Sequence, residues 1–311
     1  MANLGYIQVV RTCNQRCRFC SNPDKEVTAS LDELKGRVSD LIERGYDGII
    51  LTGGEPTLCP ELPELIQYAV GREIAVRMIT NGQNSADPEY ARRLYDAGLR
   101  HVHVSVHSSN AKLQGWLTGK EDSFECLVKT LDNFSALGVN IDINITIQHY
   151  NADHLDKIVK WLVSKWPNLH HFVFNNLDPT SDRVAQNPDS IPKLFELEVA
   201  LAKALAFLHK SGRSFRVERL PLCYMVEFAW ASTETRKIVK NEERVVHFLD
   251  ERGTVHQTTW EHGKGAVCSH CRLNPICAGL FEIDRFYSSE ELYPVYVDPE
   301  PIKKKILADP D

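Results

Sequence analysis

Short apolar runs alternate with amphipathic stretches along the first two thirds of the chain, and this rhythm limits the fold more than any other feature. The apolar runs predict six strands, at 5–10, 48–51, 74–79, 101–106, 140–147 and 170–174. The amphipathic stretches predict helices at 31–43, 62–70, 88–97, 124–137, 152–164 and 191–210. Strand–helix units joined by short connections imply a parallel sheet with right-handed crossovers. We therefore expect an α/β fold built on a partial (β/α)6 barrel of the TIM type.

Unusual segments follow each of the first three predicted strands. The first strand leads into RTCNQRCRFC, the second into TGGEP at 52–56, and the third into TNG at 80–82. Ligands of such folds gather at the carboxyl ends of the parallel strands. We therefore expect these three segments to meet at one site.

The strand–helix rhythm stops near residue 215. We predict two domains, a barrel over residues 1–214 and a small C-terminal domain over 215–311, held partly by metal. The second domain contains a polar helix around 233–241 and a hairpin at Val245 to Thr258. The final stretch, PIKKKILADPD, is interpreted as a frayed end.

Composition and charge limit the partners and the cellular location that we expect. The 311-residue chain has a net charge of −6, which does not favour an electrostatic grip on nucleic acid or on an anionic membrane. The N-terminus lacks the features of a secretory signal, and no apolar run is long enough to cross a bilayer. We expect a cytoplasmic protein with neither nucleic acid nor membrane as partner.

Six of the nine cysteines fall in two tight clusters, at 13, 17 and 20 and at 268, 271 and 277. In a reducing compartment such clusters indicate metal ligands or redox groups rather than disulfides. The C-x3-C-x2-C spacing of Cys13, Cys17 and Cys20 lets one short loop point three thiolates at one centre. The loop offers no fourth Cys or His, as structural zinc would normally need. The chemistry of the residues alone leaves zinc and iron–sulfur equally open.

This first cluster resembles the signature of the radical SAM superfamily, in which an aromatic residue, here Phe19, precedes the last cysteine. The resemblance covers about residues 5–210. In that family the three cysteines hold a [4Fe–4S] cluster, and S-adenosylmethionine binds its open iron through amino and carboxylate groups. The resemblance thus implies that the cofactor supplies the missing ligand.

Further residues match the family at the expected strand ends. Thr52 to Pro56 carries its GGEP motif, whose backbone contacts the amino group of S-adenosylmethionine in the family, and paired glycines allow such close approach. Weaker matches lie after strand three, at the end of strand four and on strand five, and structural roles are equally open for them. The resemblance gives as cofactor-binding candidates Gly53, Gly54, Glu55, Pro56, Asn81, Ser105 and Asn144. Three nearby histidines, His101, His103 and His107, are expected to be interior or surface residues rather than ligands.

The second cysteine cluster has the spacing C-x2-C-x5-C, which by itself fits a zinc knuckle. It also resembles the auxiliary-cluster segment of SPASM and twitch domains, but position 281, where the last cysteine of that segment would fall, is Phe281. Cys223 lies upstream, as a first auxiliary ligand does in such domains. A second, auxiliary [4Fe–4S] cluster would then be held by Cys223, Cys268, Cys271 and Cys277.

The remaining thiols have open roles. Cys59 and Cys126 are small buried residues by default. Cys59 follows the GGEP segment closely, and Cys223 need not be a ligand. Cys59 and Cys223 are therefore candidate catalytic residues that would donate a hydrogen atom.

The resemblance implies a radical reaction. One electron from the reduced cluster would cleave S-adenosylmethionine to methionine and a 5′-deoxyadenosyl radical, which takes a hydrogen from an unreactive C–H bond. Such an oxidoreductase needs an electron donor such as flavodoxin or ferredoxin. An auxiliary cluster suits reactions that must dispose of an electron, so oxidation or crosslinking, as in peptide maturation, is the leading class.

Two alternatives remain. One is a twitch-type dehydrogenase or epimerase of a sugar-like or aminoglycoside-like small molecule. Cys13 comes too early for a leader-binding domain ahead of the barrel, so a peptide substrate would need a separate recognition protein or direct binding by the barrel. The non-enzyme alternative is a zinc-stabilised scaffold.

Overall fold

A nine-stranded sheet forms the centre of the protein in the computed structural model, which describes residues 4–22 and 25–309. The strands are β1 Leu4–Val10, β2 Gly48–Gly53, β3 Ala75–Thr80, β4 His101–Ser105, β5 Asn140–Ile147, β6 His171–Asn176, β7 Ser214–Glu218, β8 Arg244–His247 and β9 Thr254–Gln257. Strands β1 to β7 lie side by side in chain order, and every neighbouring pair is parallel. The expected α/β fold with a parallel, partial barrel is confirmed.

Helices cover the outside of this sheet. They are α1 Leu31–Glu43, α2 Leu62–Gly71, α3 Pro88–Asp96, α4 Ala111–Thr118, α5 Ser123–Ala136, α6 Leu155–Lys165, α7 Asp182–Ala185, α8 Leu194–Lys210, α9 Thr233–Lys240 and α10 Glu300–Ala308. Local signals explain why the predicted bounds of α1 are correct: Ser30 and Glu33 form a capping box at its start. No helix among the described residues combines the length and apolarity needed to cross a membrane.

Alternation along the strands separates an apolar layer from a polar interior. On β3, Val76 and Met78 are buried on the helix side, whereas Arg77 and Ile79 line the inside of the barrel. The two faces differ because successive side chains of a strand point to opposite sides of the sheet. The interior is therefore a cavity lined by many polar side chains rather than a packed core.

The sheet is longer than the sequence predicts. Strand β7, which extends the sheet beyond β6, was not predicted. The predicted hairpin is present as β8 and β9, but β8 pairs with the free edge of β1, in parallel, and so joins the barrel sheet. Both pairings join segments that are far apart in sequence, which local patterns do not reveal. The domain boundary after residue 214 stays a prediction.

Up to Ala308, the C-terminal stretch is a helix rather than the predicted frayed end. Helix α10 packs against α9, with Ile306 fully buried. The Asp309 carboxylate accepts a hydrogen bond from Arg236 Nη1 at 3.0 Å, and the Lys305 ammonium lies 3.7 Å from the centroid of the Trp230 ring. Tertiary contacts of this kind stabilise short helices whose own propensity is marginal.

Adjacent residues of α10 give a matched test of this packing. Ile306 is 0% exposed and Leu307 is 63% exposed. We expect Ile306→Ala to lower the free energy of unfolding by about 2–4 kcal/mol, because it removes buried methyl groups and leaves a cavity. Leu307→Ala should change it by less than about 0.5 kcal/mol. Denaturant unfolding followed by circular dichroism measures both, and equal effects of the two variants would contradict the packing of α10.

Candidate functional site

The three unusual segments meet at the carboxyl edge of the sheet. A cavity of about 970 Å³ opens there, and its lining includes the three thiols of the first cluster, the Gly53–Glu55 turn and Asn81. We call residues 11–22, which follow β1 and carry these thiols, the cysteine loop. Parallel strands bring their carboxyl ends to one edge, so three loops that are separate in sequence become neighbours.

Helix α4, which was not predicted, supports the cysteine loop from one side. The backbone N–H groups of Arg16 and Arg18 donate hydrogen bonds to the carbonyls of Thr118 and Leu117, at 2.8 and 2.9 Å. The Arg18 guanidinium lies 4.0 Å from the centroid of the Trp116 ring. These contacts fix the backbone around Cys17.

Phe19 anchors the end of the loop in a small apolar cluster. Its ring is buried with Leu117, Leu177 and Val184, and it meets the His107 ring edge-on, with centroids 4.5 Å apart. An aromatic residue just before Cys20 therefore has a packing role, because it holds the loop down beside its last thiol.

The thiols of the loop act on one another electrostatically. Burial raises the pKa of Cys17 well above its ordinary value, and the neighbouring thiols of Cys20 and Cys13 raise it further. The Asn81 amide lies against Cys13, with 3.7 Å between Nδ2 and Sγ, and donates a hydrogen bond to Asn14 Oδ1 at 2.8 Å. Three soft thiolate donors facing a shared cavity fit an iron–sulfur cluster, which selects such ligands.

The paired glycines lie against the start of the cysteine loop. A Cβ on Gly53 would lie 2.0 Å from the Val10 carbonyl oxygen, and one on Gly54 would lie 2.1 Å from that of Thr12. Gly53 also has a φ of +142°, which side chains rarely tolerate. Hydrogen bonds from Gly54 N–H to Val10 O and from Glu55 N–H to Thr12 O join the two segments, at 2.8 and 2.9 Å. In this structure, the glycines are needed for contact between backbones.

Glu55 joins the second and third loops from a buried position. Its carboxylate accepts hydrogen bonds from the backbone N–H groups of Thr57 and Asn81 and from the hydroxyls of Thr57 and Thr80. Burial raises the pKa of Glu55, against the opposing effect of these hydrogen bonds. Glu55 therefore positions the turn and the Asn81 segment, and the buried Pro56 that follows begins a short 3-10 helix.

The other cofactor-binding candidates lie on the far wall of the cavity. Ser105 and Asn144 are directly opposite each other on β4 and β5. The Asn144 amide oxygen accepts a hydrogen bond from Asn175 on β6, and all three residues line the cavity. This row of polar side chains forms a wall opposite the glycine turn.

The histidines on and just after β4 lie inside the barrel or behind the cysteine loop. His103 and His107 are buried, and burial lowers the pKa of each to about 3, so both are neutral. His101 Nε2 pairs with an Asp142 carboxylate oxygen at 2.7 Å. These positions agree with interior histidines, and none of the three was predicted to bind the cluster.

A second set of thiols surrounds a smaller cavity. Cys223, Cys268, Cys271 and Cys277 all line it. Burial raises the pKa of Cys223 to about 12, and the thiols of Cys277 and Cys268 act in the same direction. The structure thus brings together the four cysteines predicted as auxiliary-cluster ligands, although Cys223 is far from the others in sequence.

Backbone donors surround the sulfurs of this set. The N–H groups of Leu222 and Gly279 point at Cys277 Sγ, at 3.5 and 3.3 Å, and that of Val295 points at Cys271 Sγ at 3.3 Å. Such donors stabilise thiolates and tune the potentials of iron–sulfur clusters. The residues present therefore fit an auxiliary cluster.

Phe281, at the position of the missing cysteine, lines the large cavity instead, where its ring lies against His262. Cys59 is 3% exposed in the hydrophobic core, and burial raises its pKa to about 11. Neither Cys59 nor Cys223 belongs to the lining of the large cavity as far as the described residues show. This geometry gives no support to either thiol as a hydrogen donor in that cavity.

Sequence patterns missed the contacts between the hairpin and the cysteine loop. Arg11 forms a buried ion pair with Asp250, and the Gln8 amide oxygen accepts from Leu249 N–H at 3.1 Å. The sequence shows only an arginine two residues before Cys13, and it does not reveal the partner, which lies more than two hundred residues away.

Two glycines provide a test of the close approach at the turn. A Cβ on Gly54 would meet backbone atoms at 2.1 Å, whereas Gly36, within α1, has nothing within 4 Å of its Cβ position. We expect Gly54→Ala to abolish iron binding by the cysteine loop, so that iron per chain after anaerobic reconstitution falls by about four. Gly36→Ala should keep the iron and raise the free energy of unfolding by up to about 1 kcal/mol. Full iron content in Gly54→Ala would show that the turn and the loop can move apart.

Comparison with known proteins agrees with the geometry. A family model described as the radical SAM superfamily matches residues 7–162, half of the chain. Fe-coproporphyrin III synthase of Methanosarcina barkeri is 30% identical over 176 residues, which cover 53% of this chain and 43% of that protein. The chain spans less than half the length of the first curated relatives that it matches.

Solved structures share the fold. Streptococcus suis SuiB bound to S-adenosylmethionine matches with a TM-score of 0.66 at 14% identity, over 95% of this chain and 77% of that one. Native anSMEcpe with bound AdoMet and a Cp18Cys peptide matches with a TM-score of 0.63 at 16% identity, over 98% of this chain and 96% of that one. The family match and the shared fold lead to one conclusion: the chain belongs to the radical SAM superfamily.

Proposed function

We propose that this protein is a radical SAM oxidoreductase that cleaves S-adenosylmethionine and oxidises or crosslinks its substrate, with a peptide as the leading substrate class. The observation that carries the proposal is the convergence of three thiols, the glycine turn and Asn81 on one cavity. When bound, the [4Fe–4S] cluster and S-adenosylmethionine would supply the 5′-deoxyadenosyl radical.

The residues of the chain then have distinct roles in this proposal. Cys13, Cys17 and Cys20 hold the cluster, and the backbone of Gly53 and Gly54 lies beside it. Glu55 and Pro56 hold the glycine turn in position. The Glu55 carboxylate does not contact the cofactor itself in this proposal, because it accepts hydrogen bonds from Thr57, Thr80 and Asn81. Asn81 connects the third loop to Cys13.

Ser105 and Asn144 offer hydrogen bonds to the cofactor or the substrate from the opposite wall. The cavity walls restrict water around the reacting groups, which protects a reactive species.

Two observations bear on the substrate. The anSMEcpe structure contains a peptide, and this supports a peptide for the present chain. The relative at 30% identity is named for synthesis of a small molecule, which favours the alternative, a dehydrogenase or epimerase acting on a small molecule. Of the partners predicted from sequence, the electron donor and the separate peptide-recognition protein remain proposals.

Anaerobic reconstitution tests the proposal directly. We expect about eight irons and eight sulfides per chain, as two four-iron clusters require. Dithionite and S-adenosylmethionine should then yield 5′-deoxyadenosine, measured by chromatography. Two bound zinc ions without cleavage would favour the zinc-stabilised scaffold instead.

Cysteine variants separate the two proposed clusters. Replacing Cys13, Cys17 and Cys20 with Ala should abolish cleavage and leave about four irons, because the auxiliary site is intact. Cys223→Ala should lose about four irons from the other site. Cys126→Ala is the matched control: this thiol lines neither cavity as described, so iron content and cleavage should stay unchanged. If Cys223→Ala retains all its iron but loses turnover, Cys223 is not a ligand and a hydrogen-donor role gains support.

A further inference from the structure

The large cavity has a cationic wall in an anionic protein. Seven Arg and Lys residues line it, against five Asp and Glu residues, although the whole chain has a net charge of −6. Glu55 is engaged in the hydrogen bonds described above, and Glu234 accepts one from Arg219 N–H. Burial, followed by the charge of Glu218, raises the pKa of Glu234 to about 7.

Four of the seven cations are paired with carboxylates outside the lining: Arg216 and Arg236 with Asp309, Lys237 with Glu242, and Arg252 with Asp250. Among the described residues, Arg77, Arg219 and Arg244 form no ion pair with a carboxylate.

Arg77 is a cation of this wall that has no partner in the part of the chain that the structure describes. It lies on β3 with its side chain toward the cavity and is half-buried. Within residues 4–22 and 25–309 its guanidinium forms neither a hydrogen bond nor an ion pair. A guanidinium withdrawn from bulk water is costly unless an anion or a polar acceptor meets it. Its position thus indicates that a ligand supplies the acceptor.

The strand register places Tyr6 beside Arg77. Tyr6 on β1, Ile50 on β2 and Arg77 on β3 lie opposite one another in one row across the sheet. With about 4.8 Å between neighbouring strands, the backbones of Tyr6 and Arg77 are about 10 Å apart, so their long side chains can reach one ligand group. Ile50 between them also lines the cavity.

Arg244 completes this group from the other side of Tyr6. Its guanidinium lies 5.4 Å from the centroid of the Tyr6 ring and donates to the Gln257 amide oxygen at 2.8 Å. Burial raises the pKa of the Tyr6 hydroxyl, on which the charges of Arg244, Glu218 and Arg77 also act. Glu218 and Glu234 partly balance Arg244.

The groups around Arg77 do not neutralise it. Burial lowers the pKa values of His103 and His171 to about 3 and about 4, and the charge of Arg77 acts in the same direction. Both histidines are therefore neutral at pH 7. The Asp142 carboxylate, next to them, contacts His101 and His103, at 2.7 and 3.5 Å, and forms no ion pair with Arg77. Among the described residues, Arg77 therefore remains a cation of this wall without an ion-pair partner.

We propose that Arg77, with the Tyr6 hydroxyl and Arg244 beside it, forms an anion subsite that binds a carboxylate or phosphate group of the substrate. Arg77 lies three residues before Thr80, about 10 Å below the edge where the cysteine loop lies. A substrate anchored there extends toward that edge with its other end, where the reaction takes place. That the bound anion belongs to a substrate rests on the proposed function.

Direct binding of two probe anions tests the subsite. Calorimetric titration of the anaerobically reconstituted protein with citrate and with pyrophosphate separates a carboxylate site from a phosphate site, and glucose is the uncharged control. We expect the wild-type protein to bind at least one of the anions and not glucose. Arg77→Met should weaken that binding by about 10- to 100-fold, the loss expected for a charged hydrogen bond.

Three further variants keep the test sharp. Arg77→Lys retains the charge and should weaken binding less than Arg77→Met. Tyr6→Phe removes the hydroxyl and should weaken binding by about 3- to 10-fold. If Arg77→Met does not fold, this variant tests the anion subsite in its place. Arg92→Met makes the same chemical change on an exposed helix and should leave binding unchanged.

The outcomes separate this proposal from the proposed function. If neither anion binds the wild-type protein, or if Arg77→Met binds as tightly as wild type, the anion subsite is wrong. Cleavage of S-adenosylmethionine by the wild-type protein is measured separately. Cleavage without anion binding overturns the subsite alone, and anion binding without cleavage supports the subsite and overturns the proposed function.

Discussion

The site depends on a contact between two stretches of backbone. Gly53 and Gly54 at the end of β2 come so close to the end of β1 and the start of the cysteine loop that a Cβ at either position would lie about 2 Å from a carbonyl oxygen. Hydrogen bonds between the same segments hold them together. Only glycine allows this approach. The orientation of the loop, and so of its three thiols, follows from this contact.

The two groups of thiols lie in different surroundings. Those of the cysteine loop face a large polar cavity whose wall carries more cations than anions, whereas those of the C-terminal group enclose a small cavity and receive backbone N–H donors. An open site beside a ligand cavity and an enclosed site away from it suit different tasks. In the proposed function the first carries the chemistry and the second accepts or passes electrons.

Much of the fold was predictable because the signals are local. The alternation of strands and helices gave the parallel sheet, and the bounds of α1 follow from the capping residues around it. Three of the errors have one cause. Strand β7, the pairing of β8 with β1 and the packing of α10 all depend on partners distant in sequence. Helix α10 is stabilised by its contacts with α9 and with Trp230, which its own sequence does not reveal.

The sequence by itself indicated the chemistry of this protein, because the spacing of Cys13, Cys17 and Cys20, the paired glycines and the strand–helix rhythm are all local patterns. Tertiary structure decided how those parts meet. It brought Cys223 to the C-terminal cysteines, assigned Glu55 to hold two loops together, and placed Arg77 in a row with Tyr6 inside the barrel. Such groupings arise from strand register and the closing of long loops, which no short stretch of sequence encodes.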